Sequence, residues 1–188
     1  GRSVFSRGKG QTAVGEAVFD HRVTLSADPM DPEGGFLPFE VRGRRIDQYG
    51  AVTWVRGGVL EQLAYDAAAA RARGRPSSTN SGALRMGGGE TSVEDMIASV
   101  TRGIYVTRFS HVSMVSSRTL LMSGVTRDGT FLIEGGKITG AVRNLRFEDS
   151  PMRVLRTLGA LGPATRVPVG GASLVMPGGV VADFLFTG

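Results

Sequence analysis

His21 and His111 are the only imidazoles in the chain, ninety residues apart, with Asp20 beside the first and Ser110 beside the second. Joined by a carboxylate they could hold a metal ion, but metal sites are usually built around a close-spaced ligand pair, and none is encoded here. Surface or loop histidines are the reading that this spacing favours. The sequence has no cysteine, which excludes a disulfide framework and a thiolate zinc cluster and fits a reducing cytoplasm. Zinc would have to use histidine and carboxylate. Serines are plentiful, yet no Gly-x-Ser-x-Gly elbow anchors a Ser-His-Asp arrangement. Gly8-Lys9-Gly10-Gln11-Thr12 lacks the Gly-x-x-x-x-Gly-Lys-Ser/Thr spacing that gathers amides and a lysine around a phosphate, and reads as a solvated loop.

Two polar insertions, Thr126-Arg127-Asp128-Gly129 and Asn144-Leu145-Arg146-Phe147, fall at expected strand ends, where loops often carry binding groups. Asp-Gly is also common turn chemistry, the reading preferred for the first. Trp54, Phe131 and Phe147 alternate with polar neighbours, a pattern of core or cross-strand pairs rather than of platforms for nucleobases. Lys and Arg outnumber Asp and Glu by 22 to 17, for a net charge of +5, but the cations are dispersed and form no block. Dispersed charge weighs against nucleic acid as a partner. No run approaches the ~20 apolar residues of a membrane span, and the start Gly1-Arg2-Ser3 reads as that of a trimmed piece.

The elements that must position these residues are mostly strands. The 28 glycines lie scattered as turn signals, which predicts many short strands joined by tight turns. Strands are expected over residues 13–19 and 22–25, then a loop over 28–35 with two prolines and paired glycines. Two hairpins read alike: Val52-Thr53-Trp54-Val55 turns through Arg56-Gly57-Gly58 into residues 59–63, and Thr130-Phe131-Leu132-Ile133 turns through Glu134-Gly135-Gly136 into residues 137–139. They are expected as equivalent edges of one closed or curled sheet. An alanine-rich helix is expected over 65–73, followed by a loop over 75–89. A second helix begins at Thr91, capping Glu94 in a Thr-x-x-Glu box, with Val93, Met96, Ile97 and Val100 on one face. Strands follow at 104–109, 112–115, 120–122 and 144–147, then a helix from Ser150-Pro151 that stops near Gly159 or Gly162. Two last strands, 172–176 and 180–186, flank Pro177-Gly178-Gly179. The fold class is β-rich α+β, a curled or barrel-like antiparallel sheet with two or three short helices, in one domain over 1–188.

Several stretches together are more specific than any one. Residues 90–100, beginning Glu90-Thr91-Ser92-Val93-Glu94-Asp95, then Arg102-Gly103-Ile104-Tyr105-Val106-Thr107-Arg108-Phe109, then residues 129–138 around Glu134-Gly135-Gly136-Lys137, then Val142-Arg143-Asn144-Leu145-Arg146-Phe147, resemble the C-terminal half of the TldD/PmbA family, peptidases formerly called modulators of DNA gyrase. Gly1-Arg2-Ser3-Val4-Phe5-Ser6 and the hairpin from Trp54 to Leu60 resemble further landmarks of that family, in the same order.

The resemblance implies a larger subunit with an α/β domain before this one, pairing with a second chain around a cavity that degrades unfolded or precursor peptides. In the TldD-like member, zinc is held by a His-Glu-x-x-x-His motif just before the segment resembling Gly1 to Ser6, and by a cysteine near the C-terminus. This chain has no such cysteine. It therefore looks more like the TldE/PmbA-type partner, with no cofactor of its own and zinc in the TldD-like subunit of a heterodimer; a homo-oligomer, a catalytic fragment with upstream ligands and, resting on charge alone, a basic nucleic-acid-binding module are the other readings. A sheet edge inside such a cavity could bind an extended peptide through main-chain hydrogen bonds, and Ile104, Tyr105, Val106, Thr107, Arg108 and Phe109 are the candidates for that edge. No catalytic residue is assigned, and His21 and His111 are the weak metal candidates.

Overall fold

The computed structural model describes residues 3–33, 39–42, 45–48, 50–65, 67–72, 74, 84–169 and 172–187. Gly1 and Arg2, the glycines Gly34 and Gly35, Asp66, Arg73 and residues 75–83 of the expected loop lie outside the described residues. In chain order come β1 (Ser6–Gly8), β2 (Gln11–Thr12), β3 (Leu25–Ala27), β4 (Phe39–Arg42), β5 (Arg45–Gln48), β6 (Val52–Arg56) and β7 (Val59–Leu60). Next are α1 (Ala67–Ala72), β8 (Leu84–Met86), α2 (Val93–Ala98), β9 (Arg102–Ser116), β10 (Leu121–Glu134), β11 (Lys137–Ala141) and β12 (Arg146–Asp149). The chain continues through α3 (Pro151–Val154), β13 (Leu158–Val169), β14 (Ala172–Val181) and β15 (Phe186–Thr187). Strands dominate, the three helices are short, and among the described residues no sheet closes into a barrel. The pairings of β1 with β2, β3 with β6 and β8, β4 with β5, β6 with β7, β10 with β9, β11 and β12, and β12 with β15 are antiparallel, and β8 pairs with β14 in parallel.

The chain divides into two compact units: Gly1–Thr12, Glu90–Gly162 and Gly178–Gly188 form the first, Ala13–Gly89 and Pro163–Pro177 the second. Each has its own apolar core. Met96, Ile133, Phe147, Met152, Leu158 and Leu161 are buried in the first; Val18, Val23, Val55, Leu60, Met86 and Val175 in the second. Each fully buried side chain of this size contributes about 1.5–3 kcal/mol relative to its exposed state.

The first unit is built on β9 and β10, which pair along almost their whole length, from Arg102↔Glu134 to Ser116↔Leu121. The separate strands expected at 104–109, 112–115, 120–122 and 130–133 are thus two long ones. Asp128-Gly129 is not a turn but a β-bulge: Arg127 pairs with Arg108 and Thr130 with Val106, so two residues oppose Thr107 alone. Asp128 has φ of 63°, and the Thr107 hydroxyl donates to the carbonyls of Arg127 and Gly129 at 3.2 and 3.1 Å, holding the bulge closed. The other side of β10 carries β12 at residues 122–125 and β11 at 131–134, and β15 pairs with β12.

α2 begins one residue later than its sequence suggests. Ser92, not Thr91, is the N-cap, its hydroxyl accepting from the Asp95 amide at 3.0 Å, and of the expected apolar face Met96 is buried while Val93 is 43% exposed. Two caps one residue apart are equally good locally, and the burial of Met96 beside Gly162 selects between them. α3 is capped by Ser150, as Ser-Pro predicts, but ends at Val154 with Leu155 as its C-cap; Gly159 and Gly162 lie inside β13. Pro177-Gly178-Gly179 likewise lies inside β14 rather than between two strands.

The two glycine hairpins form as read, β6–β7 and β10–β11, but in different sheets of different units. Both are edge hairpins, and both turns dock onto neighbouring backbone. Gly135 and Gly136 donate to the carbonyls of Thr101 and Val100 at 2.7 and 3.0 Å, closing the end of α2. Gly58 donates to Val23 at 2.8 Å and accepts from Val18 and Phe19 at 2.9 and 3.1 Å. A Cβ at Gly136 would stand 2.8 Å from the Ala98 carbonyl oxygen, and one at Gly58 2.5 Å from that of Phe19, with φ of 77° and 79°. Residues 13–19 follow this turn without forming the expected strand. Their buried positions, Ala13, Val18 and then Val23, recur every fifth residue rather than alternating, and Ala17↔Val59 is a single bridge. The strand expected at 22–25 forms as β3, three residues later at its start and two at its end.

One buried ion pair closes the first unit. Asp149, 3% exposed, receives both arms of the Arg153 guanidinium, one of them at 2.8 Å, and the amides of Ser150 and Leu185 at 2.7 and 3.1 Å. Arg153 also donates to the Ala182 carbonyl at 3.1 Å, so the pair ties α3 to the C-terminal segment. Burial alone would raise the Asp149 carboxyl, but these donors outweigh it and hold it below the ordinary 3.8.

Gly136→Ala and Gly58→Ala should each lower unfolding free energy by about 1–3 kcal/mol in urea titrations, through a strained backbone and a backbone clash. Gly140→Ala, with nothing within 4 Å of its Cβ, should stay within about 0.5 kcal/mol of the parent. Asp149→Asn should cost on the order of 3 kcal/mol at neutral pH. Because the folded pKa is depressed, that stabilisation is full above the unfolded value near 3.8 and is lost as pH falls through the folded one. Melts of parent and variant should therefore converge only below about pH 4, and a gap independent of pH would contradict the assignment.

Candidate functional site

β9 offers a main-chain edge. Among the described strands it pairs with β10 alone, so its other side carries no ladder from residue 102 to 116. Ile104, Tyr105, Val106, Thr107, Arg108 and Phe109 stand consecutively on it, the first three half-buried and the last three exposed. Arg108 forms an ion pair with Asp128 on the bulge, both side chains 56% exposed. That pair is solvated and worth less than about 1 kcal/mol, so it orients Arg108 more than it stabilises the sheet.

A second bulge ends the regular stretch. Ser110 pairs with Val125 and Ser113 with Ser123, so His111 and Val112 oppose Gly124 alone, and His111 takes φ of 52°. The Ser110 hydroxyl lies 3.1 Å from His111 Nδ1, on the exposed strand. Residues 102–110 therefore form the uninterrupted part of the edge.

Aromatic rings gather behind it. Tyr105 and Phe131 stack across the two strands with centroids 6.1 Å apart. The Phe109 ring lies 4.7 Å from Phe147 and 5.5 Å from Phe184, and Phe184 lies 4.9 Å from Phe186. Gly124 makes room for this, since a Cβ there would stand 2.6 Å from the Phe147 ring. Phe131 and Phe147 are cross-strand and core residues, as their alternation implies. The Phe184-x-Phe186 spacing was the sequence signal for the rest of the cluster, but its partners are far apart along the chain.

His21 lies in the second unit and His111 in the first. The His21 side chain is 84% exposed in a turn beside Asp20, whose carboxylate takes the Arg22 guanidinium at 2.7 and 3.0 Å and the Arg22 amide at 2.9 Å. Those hydrogen bonds from Arg22 hold the Asp20 carboxyl far below the usual carboxylate range. Among the described residues no three His, Asp or Glu side chains are grouped so as to hold a metal ion. Gly8-Lys9-Gly10 is the tight turn of the β1–β2 hairpin, with all three residues at positive φ. No described helix is long and apolar enough to cross a membrane.

Comparison with known proteins bears on this arrangement. The chain resembles TldE from Thermococcus kodakarensis (19% identity, TM-score 0.73), covering 94% of this chain and 42% of that one. It resembles a proposed modulator of DNA gyrase from Bacteroides thetaiotaomicron (26%, 0.75; 94% and 39%) and another from Thermotoga maritima (21%, 0.77; 97% and 42%). The chain thus spans about two-fifths of the length of these solved chains. No curated protein matches it. The family model described as the PmbA/TldA metallopeptidase C-terminal domain matches residues 1–188, the whole chain. With the same β-rich fold in the solved relatives and a full-length match to the family model, the chain belongs to the PmbA/TldD family, as its metallopeptidase C-terminal domain.

Proposed function

We propose that this domain holds unfolded or precursor peptides in extended form for a zinc peptidase centre carried by another chain, as the non-zinc-binding, TldE/PmbA-like member of a pair with a TldD-like subunit. The unpaired edge of β9 carries this reading. An extended peptide laid along it would satisfy its own amides and carbonyls against those of residues 102–110. Each such hydrogen bond contributes about 0.5–1.5 kcal/mol and is indifferent to side chains, which suits substrates defined by being unfolded. The assignment to the non-zinc partner is supported by the cysteine-free sequence. No step of hydrolysis is assigned to residues of this chain.

Metal analysis and peptidase assays on the protein at its full natural length, alone and with a TldD-like partner, test the assignment. Alone it should be zinc-free and inert, and the pair should contain zinc and cleave an unfolded peptide. Stoichiometric zinc with peptide cleavage by the protein alone would make it the catalytic member instead. For the edge itself, an unfolded peptide methylated on alternate amide nitrogens should bind at least about tenfold more weakly than its unmethylated parent. Equal affinity would remove main-chain recognition.

A further inference from the structure

The two bulges of the β9–β10 ladder cancel each other. From Arg102↔Glu134 to Val106↔Thr130 the strands keep one register; Arg108↔Arg127, Phe109↔Thr126 and Ser110↔Val125 are one residue out of it, and Ser113↔Ser123 and Met114↔Met122 are back in it. The extra residue lies in β10 at the first bulge and in β9 at the second. Without the bulges, Ser110 rather than Phe109 would stand opposite Thr126, and His111 opposite Val125. Alternation would then turn Phe109 to the other face of the strand, away from Phe147 and Phe184. The shifted stretch is therefore what seats Phe109 among the rings.

That shift puts two non-glycine residues in the left-handed region, Asp128 at φ of 63° and His111 at 52°, so it has to be held. β10 is fixed on its far side, where residues 122–125 pair with β12 and buried Thr126 takes the Leu145 amide at 2.9 Å. β9 pairs with no second described strand, so it is the one free to move. Its holds are the Thr107 hydroxyl, bonded to the carbonyls of Arg127 and Gly129, and the Phe109 ring. Gly129 admits the first of these, since a Cβ there would stand 2.9 Å from the Thr107 Oγ1 and Cγ2 atoms.

We propose that the paired bulges set the length of the β9 edge, offering residues 102–110 for strand addition and ending it at His111, with Thr107 and Phe109 as the positioning residues that keep the shifted register. This rests on the peptide-holding role proposed above and adds a limit on how much of a peptide is held. With both holds removed, β9 moves by one residue, the two bulges vanish together, and the edge runs uninterrupted from residue 102 to 114.

Cysteine cross-linking in the protein at its full natural length reads the register directly, because directly opposite strand residues lie within disulfide reach. Ser110→Cys with Val125→Cys reports the shifted register, and His111→Cys with Val125→Cys the alternative. The first pair should oxidise in the parent, and the second should oxidise once Thr107→Val and Phe109→Ala are combined. Thr107→Val alone, which keeps the shape of the side chain, should give both cross-links, and Thr107→Ser, which keeps the hydroxyl, should restore the parent's pattern. Persistence of the first cross-link alone in the double variant would overturn the positioning roles. Fluorescence anisotropy with two labelled unfolded peptides, one long enough to span residues 102–110 and one to span 102–114, reads the length limit. The parent should bind them within about twofold of each other, and the double variant should bind the longer one about fivefold more tightly. A parent that already prefers the longer peptide by that factor would overturn the limit. Absence of binding by both peptides would overturn the peptide-holding role and the limit with it, and the cross-links would still report the register separately.

Discussion

The antiparallel ladder between β9 and β10 is the element on which the rest of the first unit hangs. β10 has β9 on one side from end to end and β11 and β12 in succession on the other, and β15 is reached only through β12. Strands this long do not stay flat, because each residue adds right-handed twist. The ladder absorbs that twist at bulges. The one at Asp128-Gly129 is pinned by Thr107, and the one at His111 bends β9 where it passes Gly124. Each bulge also re-aims side chains: the first presents Asp128 to Arg108, and the second lies beside the gap through which Phe147 reaches Phe109.

Polar groups buried beside that ladder are satisfied locally, which makes them costly to disturb. Thr126, fully buried, accepts from the Thr130 hydroxyl at 2.7 Å and from the Leu145 amide at 2.9 Å, while its own amide donates to the Leu145 carbonyl at 2.9 Å. It thereby fixes where the chain turns from β11 into β12. Asp149 does the same at the far end of β12, where four donors from two residues of α3's first turn and one of the C-terminal segment meet one carboxylate. Removing one partner from such a site leaves the others desolvated and unpaired, so the loss exceeds the value of one hydrogen bond.

A long exposed strand edge is ordinarily a liability, since any extended chain can pair with it. β9 carries some of the usual protections, an exposed arginine at each of residues 102 and 108 and the bulge at His111, yet it retains an uninterrupted stretch lined with apolar and aromatic side chains. Such an edge is what the peptide-holding role proposed for this domain would use. The exposed Val112, Met114 and Val115 beyond the bulge continue its apolar character.

By itself the sequence determined the strand-rich class, both glycine hairpins, the capped helix starts to within one residue, the family resemblance and the placing of Ile104 to Phe109 on one strand, because each follows from local rules: positive φ at Gly-Gly, a side-chain oxygen at an N-cap, alternation along a strand. Its local signals misled where tertiary contacts outweighed them. Gly159, Gly162 and Pro177-Gly178-Gly179 read as stops but are carried through long strands, since small residues there allow close approach, as Gly179 does beside Leu161 and Ala160. Asp128-Gly129 read as a turn and is a bulge because β9 supplies a continuous partner on both sides of it. Only the tertiary structure decided that β9 is an edge, that the two hairpins belong to different sheets, that His21 and His111 fall in separate units, and that Phe109, Phe147, Phe184 and Phe186 form one cluster. Those are properties of strand order and long-range packing, set by which apolar faces find each other, and no window of sequence contains them.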